Sequence, residues 1–322
     1  MSEAVLTRPA APRSEQARIW LRDSGVYVAV GLLLLFNLFF TNGFASVDNL
    51  RLQLIQAVPV IIVALGMALV IATEGIDLSV GAVMALSASV IPLYLAYGVW
   101  PAIGMALLIG LAVGLLNGFM VAIVGIQPIV ATLAVLVGGR GLALVFANGR
   151  LTEIFDSTLV ALGTNRVFGI PINVLITLVL ILAVGFLVMK TIMGRQLVAI
   201  GGNREASMLA GLPVRRTLIG VYVISALLAS IAGVLLTGRT RASNPSFIGL
   251  DYELFAITAV VVGGTALTGG RVRVLGTVMG ALFMQLVTAT LVSHNFKDSD
   301  RRMVTAVIII AAVSLQRERR RS

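Results

Sequence analysis

Apolar residues run along this chain in long unbroken blocks separated by short polar punctuation, beginning with 25–41, "GVYVAVGLLLLFNLFFT". Further blocks lie at 52–72, 79–97, 100–124, 129–147, 171–189, 217–237, 253–264, 274–293 and 303–315. The blocks are continuously apolar rather than alternating, and a helix that crosses a bilayer needs roughly 20 such residues. Inside lipid every backbone N–H and C=O must be paired within the protein, which leaves helices or closed barrels. The pattern predicts an all-α, polytopic integral membrane protein of about ten spans.

The polar stretches divide the chain. Residues 1–24 read as a polar arm, 25–315 as a transmembrane domain and 316–322 as a basic tail. Within the domain, 148–170 and 190–216 are the longest polar segments, and the fifth run is interrupted by Gly138, Gly139, Arg140 and Gly141. Arginines precede the first run and no small-residue cleavage pattern follows it, so it reads as a retained span.

Composition sharpens this picture. Only 12% of the 322 residues are charged, against about 25% in soluble domains, and the mean hydropathy is +1.03; a water-soluble fold is excluded. The net charge of +10 gathers at the termini and in short loops, which fits orientation in a membrane and not nucleic-acid binding. Arg8, Arg13, Arg18 and Arg22 mark the arm. Lys190, Arg195, Arg204, Arg215 and Arg216 face one acid, Glu205, in 190–216, and Arg317, Arg319, Arg320 and Arg321 face Glu318 in the tail. All three segments are expected on the cytoplasmic side, both termini included, and ten spans satisfy this. With no Cys and a single His, His294, a Cys site or a His-built zinc site is not available.

Catalytic signatures are missing. The chain has no Gly-x-x-x-x-Gly-Lys-Ser/Thr phosphate loop, no His-Glu-x-x-His, and one His cannot serve a Ser–His–Asp set. The span interiors are nearly free of ionisable residues, Arg140 excepted, whereas ion-coupled carriers usually place several there. An external motor is expected, although an ion-coupled carrier or channel remains open.

Three polar features could carry function. The stretch 72–81, "ATEGIDLSVG", puts Glu74 and Asp77 between two apolar runs. Asp77 could cap the third span by accepting from amides near Ser79 and Val80, contact a polar solute, or form a gate near the ends of the spans. The plan of 68–88, an apolar run, a Gly-broken polar stretch and a second run, recurs at 259–283; paired interruptions of this kind often mark a substrate path. In 190–216, Gly202 breaks a run, Asn203 can cap a short helix, Glu205 sits in its first turn, Ala206, Met208, Leu209 and Ala210 offer an apolar face, and Gly211 and Pro213 stop it. Such a helix suits the groove of a soluble partner or lies on lipid headgroups.

These segments resemble the permease subunits of carbohydrate-uptake ABC transporters of the ribose, xylose and galactofuranose type. The likeness rests on Gly194, Gly201, Gly202, Asn203, Ala206, Ala210 and Gly211 in the loop, on "GIDLSVG" at 75–81, on "QPIVATLAVLVGGRG" at 127–141, and on "YELFAITAVVVGGTALTGGRV" at 252–272. The wording of 125–141 is most similar to the galactofuranose branch; Glu74 departs from the Gly common in the signature. Branched-chain amino acid permeases share the loop but not that signature.

The resemblance implies a non-enzymatic permease of an ATP-driven monosaccharide importer in a bacterial inner membrane. Its loop residues Gly202, Asn203, Arg204, Glu205, Ala206, Met208, Leu209 and Gly211 would engage a cytoplasmic ATP-binding subunit, which alone would bind ATP and Mg. A second permease copy or homologue would complete the path, in contact with membrane lipid. A sugar crossing lipid needs polar partners for its hydroxyls. Glu74, Asp77, Ser79, Asn117, Gln127 and Thr132 are the candidates for path or gate, with Glu253 also available. Asn117 and Gln127 equally fit helix–helix hydrogen bonding. Arg239, Arg241, Asn244 and Asp251 would meet an extracytoplasmic sugar-binding protein or form a solvated face.

Overall fold

The computed structural model describes residues 13–317. Its helices are α1 (Arg13–Phe40), α2 (Val47–Ala72), α3 (Val80–Tyr94), α4 (Val99–Phe119), α5 (Pro128–Phe146), α6 (Ser157–Thr164), α7 (Ile172–Lys190), α8 (Ile192–Gly202), α9 (Arg204–Leu209), α10 (Val214–Thr240), α11 (Tyr252–Val262), α12 (Val274–Ser293) and α13 (Asp298–Arg317). Each expected apolar run coincides with a helix. Among the described residues seven helical spans are long and apolar enough to cross a membrane, namely α2, α3 with the 3-10 turn that extends it to Tyr97, α4 with the π-helical turn that extends it to Val124, α5, α7, α10 and α12, while Gly25–Phe40 and Tyr252–Val262 are shorter apolar helices.

One expectation gains detail and another is corrected. Residues 13–24 are helical and continuous with the first run, because "RSEQARIWLRD" is rich in good helix formers and holds no Gly or Pro. The rest of the arm, and the tail beyond Arg317, lie outside the described residues. The fifth run is not broken at its glycines; α5 continues through them. Gly139 is buried against Ala82 and Leu86 of α3, and this packing offsets the roughly 1 kcal/mol that Gly costs a helix.

The core gathers around α2 and α10. From Ala57 to Ala72 helix α2 is apolar on every side and, Val60 apart, buried, so this part occupies the centre of the bundle. Helix α10 packs against α2, α3 and α4. On α4, Gly110, Gly114 and Gly118 fall on one face at a four-residue spacing. A Cβ on Gly114 would lie 2.6 Å from Val223 Cα, and one on Gly118 2.8 Å from Ile219 Cα. Small residues let the two backbones approach where lipid supplies no hydrophobic drive. Ser87 and Ser230 close the same seam as a relay: the Ser87 hydroxyl donates to Ser230 Oγ at 2.9 Å, and the Ser230 hydroxyl donates to the Ala106 carbonyl at 2.7 Å.

Polar residues also fasten the outer helices. Asn37 of α1, wholly buried, donates to Thr290 Oγ1 of α12 at 2.7 Å, and Gln285 donates to Gln53 and Gln56. Large apolar side chains such as Leu32, Phe39, Val137, Leu182 and Phe186 remain exposed around the bundle, as a lipid-facing surface demands.

The long polar segment 148–170 holds structure that its composition does not announce. Asp156 caps α6 by accepting from the Thr158 and Leu159 amides. β2 (Arg166–Val167) and β3 (Ile170–Pro171) pair across a tight turn, where Phe168 and Gly169 both take positive φ. β1 (Thr152–Glu153) pairs antiparallel with β4 (Ala242–Ser243), tying this segment to the one after α10.

Candidate functional site

The chain leaves α2 at Ala72, turns at Glu74 in the left-handed region (φ 62°), and runs back alongside the helix it has left. A Cβ on Gly75 would lie 2.7 Å from the Tyr222 hydroxyl of α10, and Asp77 then reaches Ser225 one turn further along. Gly66 of α2 also packs on Ser225. Ser225 is eleven residues into α10, about 16 Å from its start at 1.5 Å per residue. The expected position of this stretch toward the span ends therefore suits exposed Glu74 but not Asp77, which re-enters the bundle.

Asp77 is wholly buried and fully engaged. Its Oδ1 accepts from the Ser79 amide at 3.0 Å and the Ser79 hydroxyl at 2.6 Å, and its Oδ2 accepts from Ser225 Oγ at 2.8 Å. The expected cap is thus refined. The residue flanking α3 is Ser79, whose own side chain makes no capping bond, and Asp77 closes an Asx turn two residues earlier. Asn117 of α4 donates to Ser79 Oγ at 2.8 Å. Thr132 of α5 accepts from the Leu78 amide at 3.1 Å, and its one proton is shared between the Ile76 and Pro128 carbonyls at 3.1 and 2.9 Å. One buried network thus joins Asp77, Ser79, Asn117 and Thr132 from the loop, α4, α5 and α10. Gln127 is outside it, exposed at the start of α5.

The second interruption, 263–273, meets the first. The Gly270 amide donates to the Ala72 carbonyl at 3.0 Å, and Gly269, with φ +74°, lies against Glu74 Cγ and the Gly201 carbonyl. Gly201, in the last turn of α8, packs so closely that a Cβ would fall 1.7 Å from the Ala72 carbonyl oxygen and 2.5 Å from the Gly270 nitrogen. Three segments, far apart in sequence, therefore share one backbone junction. The repeated plan at 68–88 and 259–283 is a physical pairing of the two breaks.

The short helix α9 forms as its capping chemistry requires. Asn203 Oδ1 accepts from the Ala206 amide at 2.9 Å. At the other end, Gly211 (φ +77°) donates to the Met208 carbonyl and Leu212 donates to the Ser207 carbonyl, a Schellman stop. Leu212 packs beside Ala122, Ile200, Val214 and Leu218. Gly202, Asn203, Arg204, Glu205, Ala206, Met208, Leu209 and Gly211 all face outward; Leu209 is 90% exposed. An apolar residue so exposed on a helix anchored at both ends is poised for a partner or a headgroup layer.

The opposite group is less unified. Arg239 is half-buried, and exposed Arg241 ends α10 in the left-handed region. The Arg241 carbonyl accepts from the Ile154 amide at 2.8 Å, beside the β1–β4 pair. Asn244, half-buried, accepts from the Ser246 amide two residues on. Asp251 is already occupied, pairing with Arg302 of α13, which also bonds Asp298. Sequence reasoning missed this pair because both partners lie in segments that read as separate. Among the described residues no group of three or more His, Cys, Asp or Glu could hold a metal.

Comparison with known proteins now decides the family. A model described as "Branched-chain amino acid transport system / permease component" matches residues 49–313. The chain belongs to this permease family. It is 36% identical over 282 residues to a fructose import permease protein of Bifidobacterium longum, covering 86% of this chain and 79% of that one. It is 34% identical over 316 residues to a ribose import permease protein of Escherichia coli, covering 96% and 98%. A galactofuranose transporter permease protein of Escherichia coli is 37% identical over 266 residues, covering 82% and 78%. No solved structure matches. As a permease component this chain is a transporter subunit and not an enzyme.

Proposed function

We propose that this chain forms the membrane path of an ATP-driven importer for a monosaccharide in a bacterial cytoplasmic membrane, with α8, α9 and both termini on the cytoplasmic side. The relatives named for fructose, ribose and galactofuranose support a sugar cargo over an amino acid. A separate ATP-binding subunit would hold ATP and Mg, a second permease copy or homologue would complete the path, and an extracytoplasmic binding protein would deliver the sugar near Arg241.

The junction of Gly201, Ala72 and Gly270 carries the mechanical part of the reading. A partner gripping α9 pulls on α8, and α8 touches both interruptions through backbone atoms that cannot yield by changing rotamer. ATP binding and hydrolysis would then bias the breaks between two arrangements, as any ligand with different affinity for two states must. The experiment is purification of the tagged chain expressed from its native operon, followed by uptake in proteoliposomes. An ATP-binding subunit should co-purify and uptake should require ATP. A chain that carries no such subunit, or uptake that persists without ATP, overturns the reading.

A further inference from the structure

Beyond the two breaks, α3 begins against a charged cluster that the Asp77 network does not use. Gly81, in the first turn of α3, faces three groups at once. A Cβ placed on it would lie 2.3 Å from the Gly249 carbonyl oxygen, 2.5 Å from Glu253 Oε2 and 3.1 Å from Arg140 Nη2. Arg140 reaches in from α5, where twelve residues place it about 18 Å from Pro128, and donates to the Gly249 carbonyl. Glu253 stands in the first turn of α11. That helix has 11 residues, about 16 Å, so it is too short to cross a bilayer core of about 30 Å. The segment before it therefore carries irregular backbone into the bundle, a feature tolerated where it is buried in protein or lines a polar path.

Glu253 is the decisive group. It is 9% exposed, and its Oε2 is buried with no hydrogen-bond partner. A carboxylate oxygen left unpaired in such a place is destabilising because its lost hydration is not replaced, and Arg140 beside it has spent a donor on a carbonyl. The site thus offers an unused acceptor next to a guanidinium with further donors, the complement of a hydroxyl that both donates and accepts a hydrogen bond.

We propose that Glu253 and Arg140 form a polar step of the translocation path for a neutral polyhydroxylated solute. A hydroxyl of the solute donates to Glu253 Oε2 while another of its oxygens accepts from Arg140. Gly81 and Gly249 pack backbone to backbone beside the pair, so the solute reaches Glu253 and Arg140 only when α3 parts from the segment before α11. The inference rests on the importer reading and adds the side chains that meet the cargo.

The test uses the whole complex, with its ATP-binding subunit and binding protein, in proteoliposomes. Uptake of labelled pentose and hexose is measured together with binding-protein-stimulated ATP hydrolysis. Glu253→Gln and Arg140→Lys should each lower the sugar imported per ATP hydrolysed by about tenfold, while stimulated hydrolysis stays within about twofold of wild type. Should Glu253→Gln fail to assemble, Glu253→Asp, which keeps the charge but withdraws the oxygen, gives the same readout. Unchanged sugar-to-ATP ratios, or uptake and hydrolysis falling in parallel, overturn the inference and assign the cluster to packing. A wild-type complex without stimulated hydrolysis instead overturns the importer reading beneath it.

Discussion

Asp77 and Ser225 are 148 positions apart, yet the Ser225 hydroxyl donates to Asp77 Oδ2 at 2.8 Å inside the bundle. This bond, with the two from Ser79, holds the re-entrant turn against the middle of α10. Asp77→Ala leaves three buried donors unpaired, at about 1–3 kcal/mol each. Thermal unfolding of the purified permease in detergent should show a loss of about 3 kcal/mol or more. Asp77→Asn keeps one acceptor, and its amide can donate to a rotated Ser225 hydroxyl, so it should lose only about 1 kcal/mol. Glu74→Gln, on an exposed side chain, should change stability by less than about 0.5 kcal/mol. Wild-type stability in Asp77→Ala contradicts the assigned network.

Adjacent glycines in α8 make a sharper comparison. Gly201→Ala would place a methyl into the Ala72 carbonyl, whereas a Cβ on Gly202 meets nothing within 4 Å. Gly201→Ala should abolish or strongly reduce ATP-dependent uptake, and Gly202→Ala should leave it near wild type. Equal uptake by the two variants removes the junction from the coupling route.

Leu209 tests the docking surface. Because it is 90% exposed, Leu209→Asp should leave the melting behaviour of the isolated permease within about 0.5 kcal/mol of wild type. The same change should prevent co-purification of the ATP-binding subunit, since a charge would enter an apolar contact. Retention of the subunit by Leu209→Asp points instead to a headgroup role for α9.

On α4, Gly114→Ala meets the Val223 backbone while Gly104 has open space around it. Overpacking typically costs about 1–3 kcal/mol. Gly114→Ala should lower detergent stability by that amount, and Gly104→Ala should be neutral or slightly stabilising through helix propensity. A neutral Gly114→Ala shows that the α4–α10 seam can open.

At the other end of α10, Arg241→Glu should weaken stimulation of ATP hydrolysis by the binding protein, more at low salt than at high salt because exposed charges are screened. Asp251→Asn should not, since Asp251 is engaged by Arg302. Comparable losses in both variants place the contact elsewhere on this face.

Much of this was legible because membrane solvation is severe. Runs long enough to cross a bilayer have almost no alternative to the helix, and each expected run coincides with one. The cap and stop of α9 were equally readable, since Asn203 and Gly211 act on amides and carbonyls within a few positions. The helix over 13–24 was missed because its polar residues set it apart from the apolar run that it continues, and the continuity of α5 because Gly139 was judged without the α3 surface that it meets.

What the sequence determined by itself was local or set by solvent: the helical class, the apolar lengths, the short capped helix and the existence of two interruptions. Only the tertiary structure decided that the interruptions touch, that Gly201 closes the junction, that Asp77 lies level with Ser225, and that Glu253 faces Arg140 across Gly81. The physical reason is range. Hydropathy and capping act over one helix turn or one bilayer thickness, whereas a hydrogen bond between residues 77 and 225 exists only after packing brings α3 and α10 together.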